Sequence, residues 1–294
     1  MFLNGGYSPF ILTRHKQFQA EVVPQELIVD RTLQQAMASL PFPVIGVPWY
    51  QVTTYADLTV LGHEVGHSVE VDLHLTPSLD EAIRDAITDP MRRGQWLLWR
   101  AELFADLYGC LCGGPAFVST LADFLSAEEQ ANTPAEYPAP SIRFAFNLAV
   151  LAGEGHDVTA LSETWEAIYP AEGGAVAQEI SDVAARMLTV TKAAAAIRFG
   201  TESEKSAHEL ARNVVTKNDQ IAGRHDLRVL IAAYRHGFDI ALATKGGDLS
   251  RLVKFEAPMH GAVDKDLRSG ETPRALAASK FDGLGAGWLS QLKR

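Results

Sequence analysis

Cysteine is almost missing from this chain: Cys110 and Cys112 are the two in 294 residues, too few for the disulfide framework on which small secreted domains depend. One residue apart on what reads as a helix, they point in different directions and cannot bridge each other. They read as two small buried thiols, which fits a reducing compartment. Positive charge is also short. Lys and Arg number 26 against 36 Asp and Glu, for a formal net charge of −10 and a pI near 5.4, which argues against a phosphate backbone or an anionic membrane surface as the main partner. No apolar run approaches the ~20 residues of a membrane span; the longest, Phe144 to Ala152, is broken by Asn147. Met1 to Gly6 lacks a basic region followed by an apolar stretch, so no secretory signal is expected there and the chain is expected in the cytoplasm. There is no Walker loop or dinucleotide fingerprint, no internal repeat and no low-complexity linker. Lys245 precedes Gly246-Gly247 without the further glycines of a phosphate cradle, and the pair reads as a turn.

What is present is an ordinary globular composition, 47% hydrophobic and 21% charged, in a length that suits one large domain or two smaller ones. Helical spacing runs over Leu27–Leu40. Val44–Val47, with Trp49, Tyr50 and Val52, reads as a strand, and its flanking prolines favour a sheet edge. Tyr55–Val71 is helical, with Leu58, Leu61, Val65 and Val69 on an apolar stripe. Ser78 followed by Glu81 carries a capping-box pattern for a short helix ending near Asp89-Pro90. Pro90 opens a longer helix through Cys112, stopped by Gly113-Gly114-Pro115, with Trp96 and Trp99 in its core stripe. Phe117–Glu129, Ile142–Ala152, Ala175–Arg198, Ser203–Val215 and His225–Thr244 continue the helical pattern. After Lys245 the signals weaken toward irregular structure, with a last turn at Trp288–Leu292. The prediction is a mainly α protein with a small β-sheet, an α+β fold, divided near 169–174.

The informative segment is His63-Glu64-Val65-Gly66-His67. Residues four apart share a helix face, so both imidazoles reach one ion while Glu64 projects beside them toward the water on that ion. With nine histidines in the chain, chance supplies this pattern on the order of a few hundredths of a time. A catalytic zinc needs a third protein ligand and an open position. Glu70 and Leu73 stand where a metzincin has Gly and His, which excludes that class. Glu70 lies roughly 4.5 Å further along the helix axis than His67 and reads as a supporting or surface residue. Glu102 and Asp106, four apart on the next long helix, supply a better pair: one carboxylate binds the metal and the other accepts the free N–H of a ligating imidazole. Glu102 stands 35 residues beyond His67, enough for the chain to turn and return antiparallel.

The pairing of His63-Glu64-x-x-His67 with Glu102-x-x-x-Asp106 resembles the gluzincin metallopeptidases. Glu102-Leu103-Phe104-Ala105-Asp106 is similar to the Glu-x-x-Ala-Asp signature of CAAX-type and stress-response membrane proteases. The likeness spans roughly Val44 to Ala152, about a third of the chain. It implies a zincin-like metallopeptidase core over 1–170, with an N-terminal helix and an edge strand, followed by a helical C-terminal region over 171–294. It further implies zinc as cofactor, His63, His67 and Glu102 as ligands, Glu64 as base, Asp106 as orienter of a ligand histidine, and a protein or peptide as substrate. Those relatives often carry His-Pro followed by Arg, and Tyr137-Pro138-Ala139-Pro140-Ser141-Ile142-Arg143 occupies the comparable place with tyrosine for histidine. Arg143 and Tyr137 thereby become candidates for stabilising the oxyanion, and the edge strand for aligning substrate by β-addition. The membrane helices of those relatives are lacking, so prenylated membrane substrates are not expected. Asp106-Leu107-Tyr108-Gly109 resembles the aspzincin signature, in which aspartate is itself a ligand; Glu102 is preferred. Two other readings stand beside the peptidase. One is a non-catalytic scaffold that keeps a peptidase-like core; the other is an HD-type phosphohydrolase built on His156-Asp157 and His225-Asp226.

Overall fold

The computed structural model describes residues 2–4, 9–12, 43–48, 54–127, 137–167, 174–192, 197–244 and 248–268. The expected helix at Leu27–Leu40, the strand continuation from Trp49 to Val52, most of the expected division at 169–174 and the turn at Trp288–Leu292 lie outside them. Strands β1 (Phe2–Asn4), β2 (Phe10–Leu12) and β3 (Val44–Pro48) form one sheet of order β1-β3-β2. β1 runs parallel to β3 and β2 antiparallel, with Gly46 opposite both Phe2 and Phe10. The segment expected at a sheet edge is therefore the central strand. Its prolines bracket it and do not interrupt it: Pro43 precedes it and Pro48 is its last residue, where a missing N–H costs the ladder little. With both sides paired, β3 offers no edge for substrate addition.

The segment expected as one helix from Tyr55 divides into a 3₁₀ stretch, Tyr55–Val60, and α1, Leu61–Asp72. Helix α2 spans Thr76–Ala86. Its capping residue is Leu75 with Pro77 in the first turn, so Ser78 already lies inside the helix and the expected capping box does not form. Helix α3 spans Pro90–Ala127 and is capped by Asp89, whose Oδ1 accepts from the Arg92 N–H at 2.9 Å. At Gly113-Gly114-Pro115 the helix kinks where a stop was expected: Gly114 takes φ 58°, ψ −147°, and Pro115 opens the next helical segment.

Helices α4 (Pro140–Gly153) and α5 (Thr159–Glu166) follow. The second was not legible; Asp157 starts it by accepting from the Thr159 N–H at 3.0 Å. Helix α6 ends at Val190, short of the Arg198 that its alanines favoured. Tertiary contacts override that propensity: the Phe199 N–H donates to the Leu111 carbonyl at 2.7 Å and its ring is buried. Helices α7 (Thr201–Lys217) and α8 (Leu227–Ala243) pack against each other. A 3₁₀ stretch, Leu249–Phe255, and α9, Glu256–Arg268, then replace the irregular structure expected after Lys245.

Among the described residues two apolar cores result. The first gathers Leu79 and Ile83 of α2, Trp96, Leu103, Phe104 and Leu107 of α3, Phe144 and Phe146 of α4, and Val183 and Met187 of α6. The second gathers Ala116, Phe199, Val214, Leu230 and Phe255. Each such fully buried Leu or Phe contributes about 1.5–3 kcal/mol, and α3 reaches both cores. Among the described residues no helix is long and apolar enough to cross a membrane.

Candidate metal centre

Helix α1 reverses the usual amphipathic pattern. Its apolar residues Leu61, Val65 and Val69 are only half-buried, whereas His63, Glu64, Ser68 and Glu70 are buried. The polar face can press on α3 because both helices present small residues at the crossing. A Cβ on Gly66 would stand 2.8 Å from the Ala105 Cα, and one on Gly62 would stand 3.2 Å from the Gly109 Cα. The contacts run in opposite senses along the two helices, the antiparallel return anticipated above. They draw His63 and His67 onto Glu102 and Asp106. Gly66→Ala is therefore expected to push α1 off α3, costing about 1–3 kcal/mol of stability as overpacking does, and to weaken zinc binding at least about tenfold. Gly94→Ala, whose added methyl meets nothing within 4 Å, is the control. Thermal unfolding and zinc competition titration check both, and equal behaviour of the two variants would remove the helix crossing from the account.

The three donor groups converge. His63 Nε2 and His67 Nε2 are 3.2 Å apart, His63 Nε2 is 3.4 Å from Glu102 Oε2, and His67 Nε2 is 3.6 Å from Glu102 Oε1. Ligands about 2.0–2.2 Å from a tetrahedral zinc stand about 3.3–3.6 Å from one another. The spacing fits such an ion, as does the chemistry of two imidazoles and one carboxylate. Glu102 and both histidines are largely, not wholly, covered, which leaves an approach for water.

Behind the donors, Asp106 is fully buried and its Oδ1 lies 2.7 Å from His63 Nδ1. That contact fixes the histidine tautomer that aims Nε2 at the metal position. Asp106 is itself held by Arg143, which donates from Nε to Oδ2 at 2.9 Å and from Nη2 to Oδ1 at 2.7 Å, and by Asn147 Nδ2 at 3.3 Å. Asn147 also donates to the Arg143 carbonyl at 2.9 Å and faces the Cys110 thiol, whose Sγ lies 3.1 Å from Oδ1.

These contacts set the charges. Burial raises the Glu64 carboxyl to about 7, with the Glu102 charge adding to the rise. Burial would lower His63, but its hydrogen bonds with Asp106 and Glu102 override that and bring it to about 9. Burial and the neighbouring His63 charge lower His67 to about 4. Burial would raise Asp106 and Glu102; Arg143 and His63 at Asp106, and chiefly His63 at Glu102, pull both below the usual carboxylate range.

The other sequence candidates fall into place differently. Arg143, expected across the site as an oxyanion donor, commits Nε and Nη2 to Asp106; its Nη2 is 3.9 Å from Glu102 Oε2. Tyr137 is 46% exposed ahead of α4. Glu70, read as supporting or surface, is buried: its Oε1 accepts from Thr76 Oγ1 and from Arg100 Nε at 2.8 Å each, tying α1 to α2 and α3. The two cysteines are unbridged, Cys110 buried and Cys112 half-buried. His156 and His225 contact backbone carbonyls through Nε2, while Asp157 accepts from the Thr159 N–H ahead of α5 and Asp226 caps α8, so these residues form no HD-type set. Sequence reasoning missed Asn147 and the glycines at the crossing. The signals were Arg143-x-x-x-Asn147, two polar residues one turn apart in an apolar helix, and Gly62-x-x-x-Gly66 inside the histidine motif.

The arrangement of His63-Glu64-x-x-His67 with Glu102 and Asp106 matches the gluzincin-type zinc signature and supports a zinc-dependent hydrolytic function. No protein-family model, curated protein or solved structure matches the chain.

Proposed function

We propose that this protein hydrolyses peptide bonds in a protein or peptide substrate, with His63, His67 and Glu102 holding zinc and Glu64 acting as general base. The observation that carries the reading is the convergence of three donor groups at tetrahedral-edge spacing, with a buried carboxylate seated behind one of them. Zinc bound there supplies a Lewis acid for the scissile carbonyl and lowers the pKa of its water toward ~7. Glu64, poised by burial near neutrality, takes the proton from the attacking water and delivers it to the leaving nitrogen. Asp106 holds His63 in place, and Arg143 and Asn147 hold Asp106. Tyr137, on the exposed approach to α4, remains the candidate for a donor to the oxyanion once substrate is seated. Turnover of casein by the zinc-reconstituted protein, lost on chelation and restored by zinc, tests the proposal. Full zinc occupancy at His63, His67 and Glu102 with no cleavage of casein or of a mixed peptide library would return the chain to the scaffold reading.

The same charges predict a pH dependence. Zinc needs a neutral imidazole at His63, which in the metal-free protein holds its proton up to about 9. Each pH unit gained below that value should raise apparent zinc affinity about tenfold, with about one proton released per ion at this site. His67, lowered to about 4, adds no further proton near neutrality. Because the His63 pKa is raised on folding, its contribution to metal-free stability is full below about 6.5 and fades as pH rises through about 9. Zinc titrations from pH 7 to 9 check this, and a flat affinity over that range would show that His63 is not held by Asp106 as described.

A further inference from the structure

A second group of donors lies in the C-terminal helices. Glu204 and His208 stand one turn apart on α7, and His236 reaches them from α8. Glu204 Oε1 is 2.9 Å from His236 Nε2 and 4.0 Å from His208 Nε2. One donor atom from each of the three residues falls within 4.8 Å of the others. The two imidazole rings stack face to face with centroids 4.3 Å apart.

Two features set this group apart from a surface ion pair. The His236 side chain is 7% exposed and that of Glu204 14%, yet His236 Nε2 and Glu204 Oε2 are buried without a hydrogen-bond partner among the described residues. The 2.9 Å separation is close but not aligned as a hydrogen bond. Leaving buried polar atoms in that condition is costly, and a cation among the three residues gives the His236 nitrogen a partner. His208, half exposed, leaves the group open to solvent on one side, so an ion can enter. We propose that Glu204, His208 and His236 form a second site for a divalent transition-metal ion, clamping α7 to α8. Two imidazoles and one carboxylate favour zinc or cobalt over magnesium or calcium, which take all-oxygen shells. The Oε1 distances of 2.9 and 4.0 Å bracket the about 3.3–3.6 Å edge of a tetrahedral zinc site, and a small rotation of exposed His208 closes the longer one. The clamp sits against the kink of α3: a Cβ on Gly114 would be 3.7 Å from Glu204 Oε2. The site thus joins the second core to the helix that carries Glu102 and Asp106. In sequence it mirrors the first centre, with two donors one turn apart on one helix, Glu204-x-x-x-His208, and a single donor on a later one.

The proposal stands independently of the first centre, and one titration distinguishes them. Metal-stripped full-length protein is titrated with zinc against a chromophoric chelator, and with cobalt by visible absorption. Two equivalents per chain are expected. His208→Ala, a change at a half-exposed position, should weaken one of them at least about 100-fold, and the His63→Ala/His67→Ala variant should lose the other. In that double variant zinc should still raise the melting temperature, and adding His236→Gln should abolish the rise. A His208→Ala protein with unchanged stoichiometry and affinity overturns the second site, as does a wild-type chain whose single equivalent vanishes with His63 and His67. Loss with His208→Ala but not with the His63/His67 variant would uphold the second site and sink the first.

Discussion

Glu64→Gln is expected to keep zinc and lose turnover, with kcat falling by about 10²–10⁴, the range that a positioned general base contributes. Glutamine matches glutamate in size and leaves His63, His67 and Glu102 untouched, so metal affinity should change little. It cannot accept a proton from water, and that is the step assigned to Glu64. The carboxyl is 7% exposed and burial lifts it to about 7, where it is basic enough to take the proton and acidic enough to return it. The stability effect runs the other way. A carboxyl whose pKa is raised on folding destabilises the folded state progressively as pH climbs from its unfolded value near 4.5 through about 7. Metal-free Glu64→Gln should accordingly unfold at a higher temperature than metal-free wild type at pH 7.5, and the two should converge near pH 4. A variant with more stability and far less activity is the expected signature of a strained catalytic group. Wild-type hydrolysis by zinc-loaded Glu64→Gln would remove the residue from its role; equal melting temperatures at pH 7.5 would show that the carboxylate carries no burial cost.

The histidine motif and the later carboxylate pair were legible because helical periodicity is local: four residues make a turn wherever the chain goes, and 35 residues suffice to bring a second helix back. What periodicity does not encode is depth. The apolar stripe of Leu61, Val65 and Val69 pointed to the wrong face of α1 as the buried one, because the metal centre itself forms the buried face. Of the two readings of Glu70, supporting or surface, the surface one fails for the same reason, since its partners Arg100 and Thr76 lie 30 and 6 residues away. Prolines around Val44–Pro48 suggested an edge, yet pairing of β3 on both sides depends on β1 and β2, short segments with little periodicity of their own. The shortened α6 was set by the seat of Phe199 on Leu111, a contact between residues 88 positions apart that no propensity scale contains.

Among the acidic residues around the centre, zinc affinity should fall most in Glu102→Ala, next in Asp106→Ala and least in Glu70→Ala. Glu102 contributes a donor atom, so its loss leaves two protein ligands and should exceed the about 10–100-fold typical of removing a residue that only supports a ligand. Asp106→Ala should fall within that 10–100-fold range, because His63 keeps its place in the helix but loses the carboxylate that fixes its tautomer. Stability orders the same variants differently, which keeps the two effects apart. Removing Asp106 takes from the Arg143 guanidinium, 7% exposed, the carboxylate that accepts from its Nε and Nη2, and breaking a buried pair from one side costs about 3–5 kcal/mol. Removing Glu70 leaves Arg100 with Asp80 at 2.9 Å and Thr76 without its acceptor, a smaller loss of about 1–3 kcal/mol. Glu102→Ala should cost the metal-free fold least, because the carboxylate sits at the mouth of the site and its desolvation is relieved together with its contacts. Arg143→Ala should follow Asp106→Ala in both readouts, since its geometry places it behind that residue. A kcat loss of about 10²–10³ with zinc affinity unchanged would instead mark Arg143 as a donor to the oxyanion. Zinc dissociation constants and unfolding midpoints for the four variants decide the matter, and a largest affinity loss at Glu70 would overturn the pairing of α1 with α3 as the source of the ligands.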